Sequence, residues 1–196
     1  MRKFTYLNKT HFSRTIILAF ICLLLFGGCS KYSDEVQANL TKLKETKSCS
    51  GCDLRGIELI SFDLKGADLS GANLTGANLK MSDLSGANLT DTNLTDADLL
   101  GVNLTGATLT NTNLTGVKLS YSNINGADIS GVVLKYAHMN SSKVVNSKIR
   151  NSDMTGANLY NADLTGTKVS KEMLKDTVLC KTVMPSGQQD DSGCKR

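Results

Sequence analysis

The sequence predicts a repeat solenoid that turns a corner in every unit, and three observations predict it. A five-residue phrase recurs in unbroken register, with a large apolar residue at its centre from Leu54, Leu59 and Leu64 through Leu159, Leu164 and Val169, giving 24 consecutive units. In 19 of the 24 units the residue two before the centre is small: Ala in ten, and Cys, Ser or Thr in nine more. The 196-residue chain has no Trp, one Pro and only 5% aromatic residues, so its core must be assembled from many copies of one Leu. A period of five fits neither the helix, at 3.6, nor the extended strand, at 2. A chain that buries two positions per unit and exposes three must turn a corner in each unit. The Gly-rich last position, as at Gly56, Gly66, Gly156 and Gly166, supplies the backbone freedom for those corners. Repetition of this kind takes precedence over a length-based domain count.

Residues 1–28 read as a signal peptide. Arg2, Lys3, Lys9 and Arg14 precede an unbroken apolar run, Ile16 to Phe26, and no acid occurs in this stretch. The run is shorter than the roughly 20 residues of a bilayer span and suits a signal's apolar region. Gly27-Gly28-Cys29 follows, and small residues before a cysteine resemble the lipobox of bacterial lipoproteins, with Phe26 where that family usually carries Leu. The resemblance implies cleavage before Cys29, a diacylglyceryl thioether on its sulfur and acylation of its new amino group. An ordinary cleaved signal or an uncleaved anchor is the alternative. Several acyl chains would hold the protein far better than one. Ser30 lacks the Asp that retains such proteins in the inner membrane, so the outer membrane is favoured where the cell has one. Without the leader, 18 basic residues face 18 acidic ones. That balance gives no reason to expect nucleic acid as a partner.

Residues 29–48 read as a lipidated tether and a capping helix. Ser33 is a capping hydroxyl ahead of Asp34 and Glu35, and Val36, Leu40 and Leu43 form one apolar stripe. Solenoids expose an apolar end that must be covered, and a lid helix would do so; a partner-binding helix is the alternative. Cys49 and Cys52 continue the repeat phase and are expected to point inward, as buried thiols or a local disulfide. No second CxxC and no histidine pair accompany them, so zinc is not expected.

Over residues 49–169 the phrase Ala67-Asp68-Leu69-Ser70-Gly71-Ala72-Asn73-Leu74 and its copies resemble the pentapeptide repeat family, whose consensus is Ala-(Asp/Asn)-Leu-x-x. The resemblance implies an all-β fold, a right-handed quadrilateral parallel β-helix with four units per 20-residue coil and about six coils, spaced by about 4.8 Å. Val102, Val117 and Val132 replace small residues and are expected to bulge the wall locally. From residue 118 the Leu and Gly content falls, so that half is expected to be the less regular one. In 170–196, a closing coil and tail, Glu172 breaks the small-position rule. Cys180 and Cys194 there resemble the ending of many family members; a disulfide between them is favoured, with two free thiols as the alternative.

Function is less legible than fold. Residues 53–117 carry eight acids and three bases, and residues 118–175 four acids and eight bases, so charge is separated along the axis. Lys148, Arg150 and Lys168, with Lys143 round the corner, form the candidate binding patch, with Tyr121, Tyr136 and Tyr160 as possible supplements; solvated lysines that prevent end-to-end stacking are the alternative. His138 is the only histidine outside the leader and has no acid at a suggestive spacing, so no catalytic residue, metal or cofactor is expected. The expectation is a non-enzymatic, membrane-anchored scaffold or protein-binding module facing the periplasm, with an envelope protein as partner. The alternative is the DNA mimicry of the family's topoisomerase-interacting members, which need a strongly acidic, cytoplasmic rod.

Overall fold

Every turn of the chain pairs residue i with residue i+20, and this interval builds the fold. The computed structural model describes residues 31–194, so the leader and Cys29 lie outside the described residues. Parallel pairings join Ser48 to Asp68, Asp53 to Asn73, Glu58 to Asn78 and Asp63 to Asp83, and the same four columns continue to Asp163–Val183. Each pairing carries hydrogen bonds on both sides. The Leu74 amide donates to the Asn93 carbonyl at 2.7 Å, and the Asn93 amide donates to the Ala72 carbonyl at 2.9 Å. One pairing is long enough to form strands, β1 (Asp128–Ser130) and β2 (Lys148–Arg150), with Ile129 opposite Ile149.

The corners explain the period. The Ala77 amide donates to the Leu74 carbonyl at 2.9 Å, closing a four-residue turn whose third residue, Gly76, has φ +65°. A positive φ at that place is the mark of a type II turn. Every fifth residue from Gly51 to Gly166 has φ between +51° and +71°. Eleven of these corners carry a side chain, Met81, Tyr121 and Tyr136 among them, so glycine favours the corner without being required at it.

The centres and the small positions form one continuous core, with Leu54, Leu64, Leu74, Leu84, Leu94 and Leu104 all fully buried. Each such Leu contributes roughly 1.5–3 kcal/mol by leaving water. The expected bulges at Val102, Val117 and Val132 are absent. All three are fully buried, and the flanking pairings Asn103–Asn123, Lys118–His138 and Val133–Asp153 are in place. Each Val lies one coil from small residues in its own column: Ser82 and Ser122, Ala97 and Ala137, Thr112 and Ser152. The space its neighbours leave accommodates its extra methyls. Nor is the half after residue 118 less regular: the pairings run on to Lys148–Lys168, because Ile, Val and Met at the centres fill the same inward site as Leu.

Helix α1 (Asp34–Thr46) precedes the ladder. Ser33 Oγ accepts the Val36 amide, and Lys47, at φ 53°, ends the helix with its amide on the Leu43 carbonyl. Val36, Leu40 and Leu43 are buried and join the core. The Asn39 side-chain amide donates to the Asp53 carbonyl at 3.1 Å, tying the helix to the first coil. At the other end a single 3-10 turn (Glu172–Leu174) interrupts the wall, and pairing resumes at Asn158–Val178. Strand β3 (Thr182–Val183) then pairs antiparallel with β4 (Gln189–Asp190), which covers the otherwise open edge of the last coil.

Candidate interaction surface

The wall uses most of its polar chemistry on itself. At eight places an Asn or Asp just before a centre accepts two hydrogen bonds from a Ser or Thr two residues further on. Asn73 Oδ1 takes the Thr75 amide at 3.1 Å and the Thr75 hydroxyl at 2.7 Å. Asp68 does the same with Ser70, and Asp153 with Thr155. These bonds favour the charged form, so Asp68, Asp83 and Asp153 sit below the usual carboxylate range, chiefly through the hydroxyls of Ser70, Ser85 and Thr155. Asp53 is lowered chiefly by Arg55, and Asp63 by Lys47. Hydroxyls at the small positions are satisfied inside: Thr92 donates to the Leu69 carbonyl at 2.8 Å and Thr112 to that of Leu89 at 2.7 Å. These depressed carboxylates have a structural cause, and they do not converge on a reacting centre. His138 is exposed and pairs in the ladder with Lys118 and Asn158. Among the described residues no group of three or more His, Cys, Asp or Glu is placed to hold a metal ion.

The four columns sort the surface into four faces, each repeating every 20 residues. Lys148 stands between Asp128 and Lys168 on one face, and Arg150 stands opposite Ser130 on the same face. Lys143 stands on the neighbouring face, between Asn123 and Asp163. All four side chains are exposed, and among the described residues none of them forms an ion pair. A shallow depression of about 470 Å³ lies beside Arg150 and Lys168, floored by Val169 and Met173. Sequence reasoning did not find its neighbour, a depression of about 250 Å³ lined by Asp153, Glu172 and Asp176. Met173 borders both, so the 3-10 turn that breaks the repeat also makes the relief on the wall. The break at Glu172 was the only signal.

Tyr121, Tyr136 and Tyr160 do not supplement the basic patch. Their numbers put them half a coil from Lys148 and Lys168, on or beside the face of Lys118 and His138, which is the opposite side of a four-sided coil. Among the described residues the four cysteines are joined as two local bridges, Cys49 to Cys52 and Cys180 to Cys194. Both Cys49 and Cys52 are buried, and the Cys49 sulfur lies 3.4 Å from the Asn39 carbonyl of α1.

A coil of four five-residue units, repeated by stacking, defines a solenoid repeat protein with a surface to offer and no assembled catalytic group among the described residues. The chain belongs to the pentapeptide repeat family, whose pattern matches residues 48–86, 82–120, 97–135, 112–151 and 134–170. Members of this family form right-handed quadrilateral β-helices and are generally non-enzymatic structural or binding proteins. Among solved structures, the chain is similar to a pentapeptide repeat protein, Rfr23, from the cyanobacterium Cyanothece 51142, at 25% identity over 72% of this chain and 97% of that one, with a TM-score of 0.44. A pentapeptide repeat protein from the Arabidopsis thaliana thylakoid lumen is 20% identical over 83% of this chain and 91% of that one, with a TM-score of 0.41. HetL, involved in heterocyst differentiation regulation in Nostoc sp. strain PCC 7120, is 20% identical over 82% of this chain and 100% of that one, with a TM-score of 0.35. No curated protein sequence matches the chain.

Proposed function

We propose that this protein is a lipid-anchored, non-enzymatic scaffold of the bacterial envelope, presenting a β-helix of about six coils, capped by α1, to a protein partner. The observation that carries this reading is the pair of disulfides, Cys49–Cys52 and Cys180–Cys194. Disulfides persist in oxidising compartments and are rare in the cytosol, and a leader ending in Gly27-Gly28-Cys29 would deliver the chain to such a compartment. Cys29 carries the lipid anchor in this reading. Arg150 and Lys168, which line the depression of about 470 Å³, and Lys148 on the same face are the contact residues for an acidic partner surface, with Lys143 on the neighbouring face.

Labelling cells with a fatty-acid analogue tests the anchor: the wild type takes up label and Cys29→Ala does not. Equal labelling of the two would sink it. Cross-linking in the native envelope, with and without charge reversal at Lys148, Arg150 and Lys168, tests the patch, and identical products would discard it. DNA mimicry is the weaker reading, because the half beyond residue 118 is basic and would repel a DNA-binding groove. Potent inhibition in a topoisomerase supercoiling assay would reverse that ranking.

A further inference from the structure

The exposed large apolar side chains are not scattered. Ile60, Met81, Tyr121, Tyr136, Tyr160 and Val178 are the six that stand out. Expressed as positions within the 20-residue coil, all six fall on one face or on the corners that bound it. That face carries the ladder Asn78, Asp98, Lys118, His138, Asn158. Elsewhere the outward positions are mostly Asn, Asp, Ser, Thr and Lys. Met81, Tyr121 and Tyr136 stand at corners with positive φ, at 66%, 70% and 63% exposure. A bulky side chain in that backbone region costs roughly 1 kcal/mol or more; Tyr136 rests its ring over Gly156 and Met81 lies beside Gly101, yet all three leave most of their surface in water. Exposed apolar side chains gathered mainly along the edges of one face of a polar wall mark an interaction surface; between those edges the face carries the Lys80–Asp98–Lys118 ion pairs.

Two pairs of them also stand symmetrically about Tyr121. Met81 lies two coils before it and Tyr160 two coils after; Ile60 lies three before and Val178 three after. Leu100, half-buried, lies one coil before, where the matching place one coil after holds Asn140 and Ser141, and Tyr136 stands on the opposite corner of the face. Charge has the opposite symmetry, since residues 53–117 carry a net −5 and residues 118–175 a net +4. We infer that this face is the interface of an antiparallel homodimer, with a two-fold axis close to Tyr121. A two-fold places the same patch on both copies, so residue i meets j and j meets i. Met81 then meets the second copy's Tyr160, Ile60 meets its Val178, and the two Tyr121 side chains meet each other. The acidic half of each copy lies along the basic half of the other. A parallel arrangement sets acidic half against acidic half, which complementarity disfavours. A second copy of this chain satisfies the apolar pairing and the opposed net charge of the two halves; at the axis each Lys118, paired with its own Asp98, faces its counterpart. The Lys148 and Lys168 face remains outward on both copies.

The experiment places p-benzoylphenylalanine at Tyr121, Tyr160 or Thr110 of the full chain in cells, followed by irradiation and mass-spectrometric mapping. Tyr121 and Tyr160 give a product of twice the protomer mass, and Thr110, on the opposite face, does not. The Tyr121 probe maps to the second copy's residues near 121, and the Tyr160 probe to those near Met81. Adding Met81→Asp, an exposed change that leaves the core intact, reduces the Tyr160 product at least tenfold. The inference is overturned by the absence of a doubled product, by products of another mass only, or by a Tyr160 probe that maps near residue 160.

Discussion

The Tyr136 ring lies directly over the backbone of Gly156, one coil further on. A Cβ built on Gly156 would stand 2.6 Å from Tyr136 Cδ1 and 2.8 Å from Cε1. The same relation recurs where Asp96 leans on Gly116, Asn111 on Gly131 and Asn146 on Gly166. In these four pairs a corner bearing a side chain is followed, 20 residues later, by a corner with none.

Gly156→Ala therefore has two costs, the positive φ of 71° and the contact with the ring. We expect a loss of about 1–2 kcal/mol in denaturant unfolding, of which the backbone part is about 1 kcal/mol. Because Tyr136 is exposed and can swing, Tyr136→Ala should recover only the contact part. A double-mutant cycle separates the two, and full recovery would show that the backbone strain is negligible.

Thr112→Val probes the buried hydroxyls. Thr112 Oγ1 donates to the Leu89 carbonyl, which also accepts the Thr92 amide at 3.1 Å. The carbonyl is not orphaned by the change, so the expected loss is about 1 kcal/mol, read as a shift of the denaturation midpoint at constant slope. Leu99→Ala, in the fully buried Leu column, should cost about 2–5 kcal/mol in the same measurement.

Acid should weaken the wall. Asp68, Asp83 and Asp153 have folded pKa values below their unfolded ones, because hydroxyl and amide donors favour the carboxylate. Their contribution is therefore complete above the unfolded value, about 3.9, and is lost as pH falls through the folded values. Thermal midpoints should be flat from about pH 7 to pH 5 in this respect and fall below about pH 4. Asp68→Asn keeps the Oδ1 acceptor, as Asn73 does naturally, and should reduce the acid sensitivity.

The two disulfides should differ in effect. Chain-entropy reasoning gives about 3 kcal/mol for a loop of about 15 residues, and about 2 kcal/mol for one of about 4. Cys180→Ser with Cys194→Ser should therefore cost more than the Cys49 and Cys52 pair. Hydrogen exchange should show the first loss confined to the closing coil, since solenoid units contact only their neighbours.

The sequence by itself determined the register, the inward and outward assignment of every position from Leu54 to Leu164, and the helix stripe of Val36, Leu40 and Leu43. It could do so because each of these depends on local period and side-chain size. Two expectations failed for a shared reason. The valines at 102, 117 and 132 make no bulge, and the half after Lys118 stays regular, because the space at any position is set by residues 20 away. The same interval decided what belongs together on the surface. It separated Tyr121, Tyr136 and Tyr160 from Lys148 and Lys168, gathered them with Met81 and Ile60, and seated Tyr136 on Gly156. A period of five is written in neighbouring letters. The coil of 20 entered the sequence reading only through the family resemblance; in the structure the hydrogen bonds between coils close it, and packing against residues 20 away decides what each position holds.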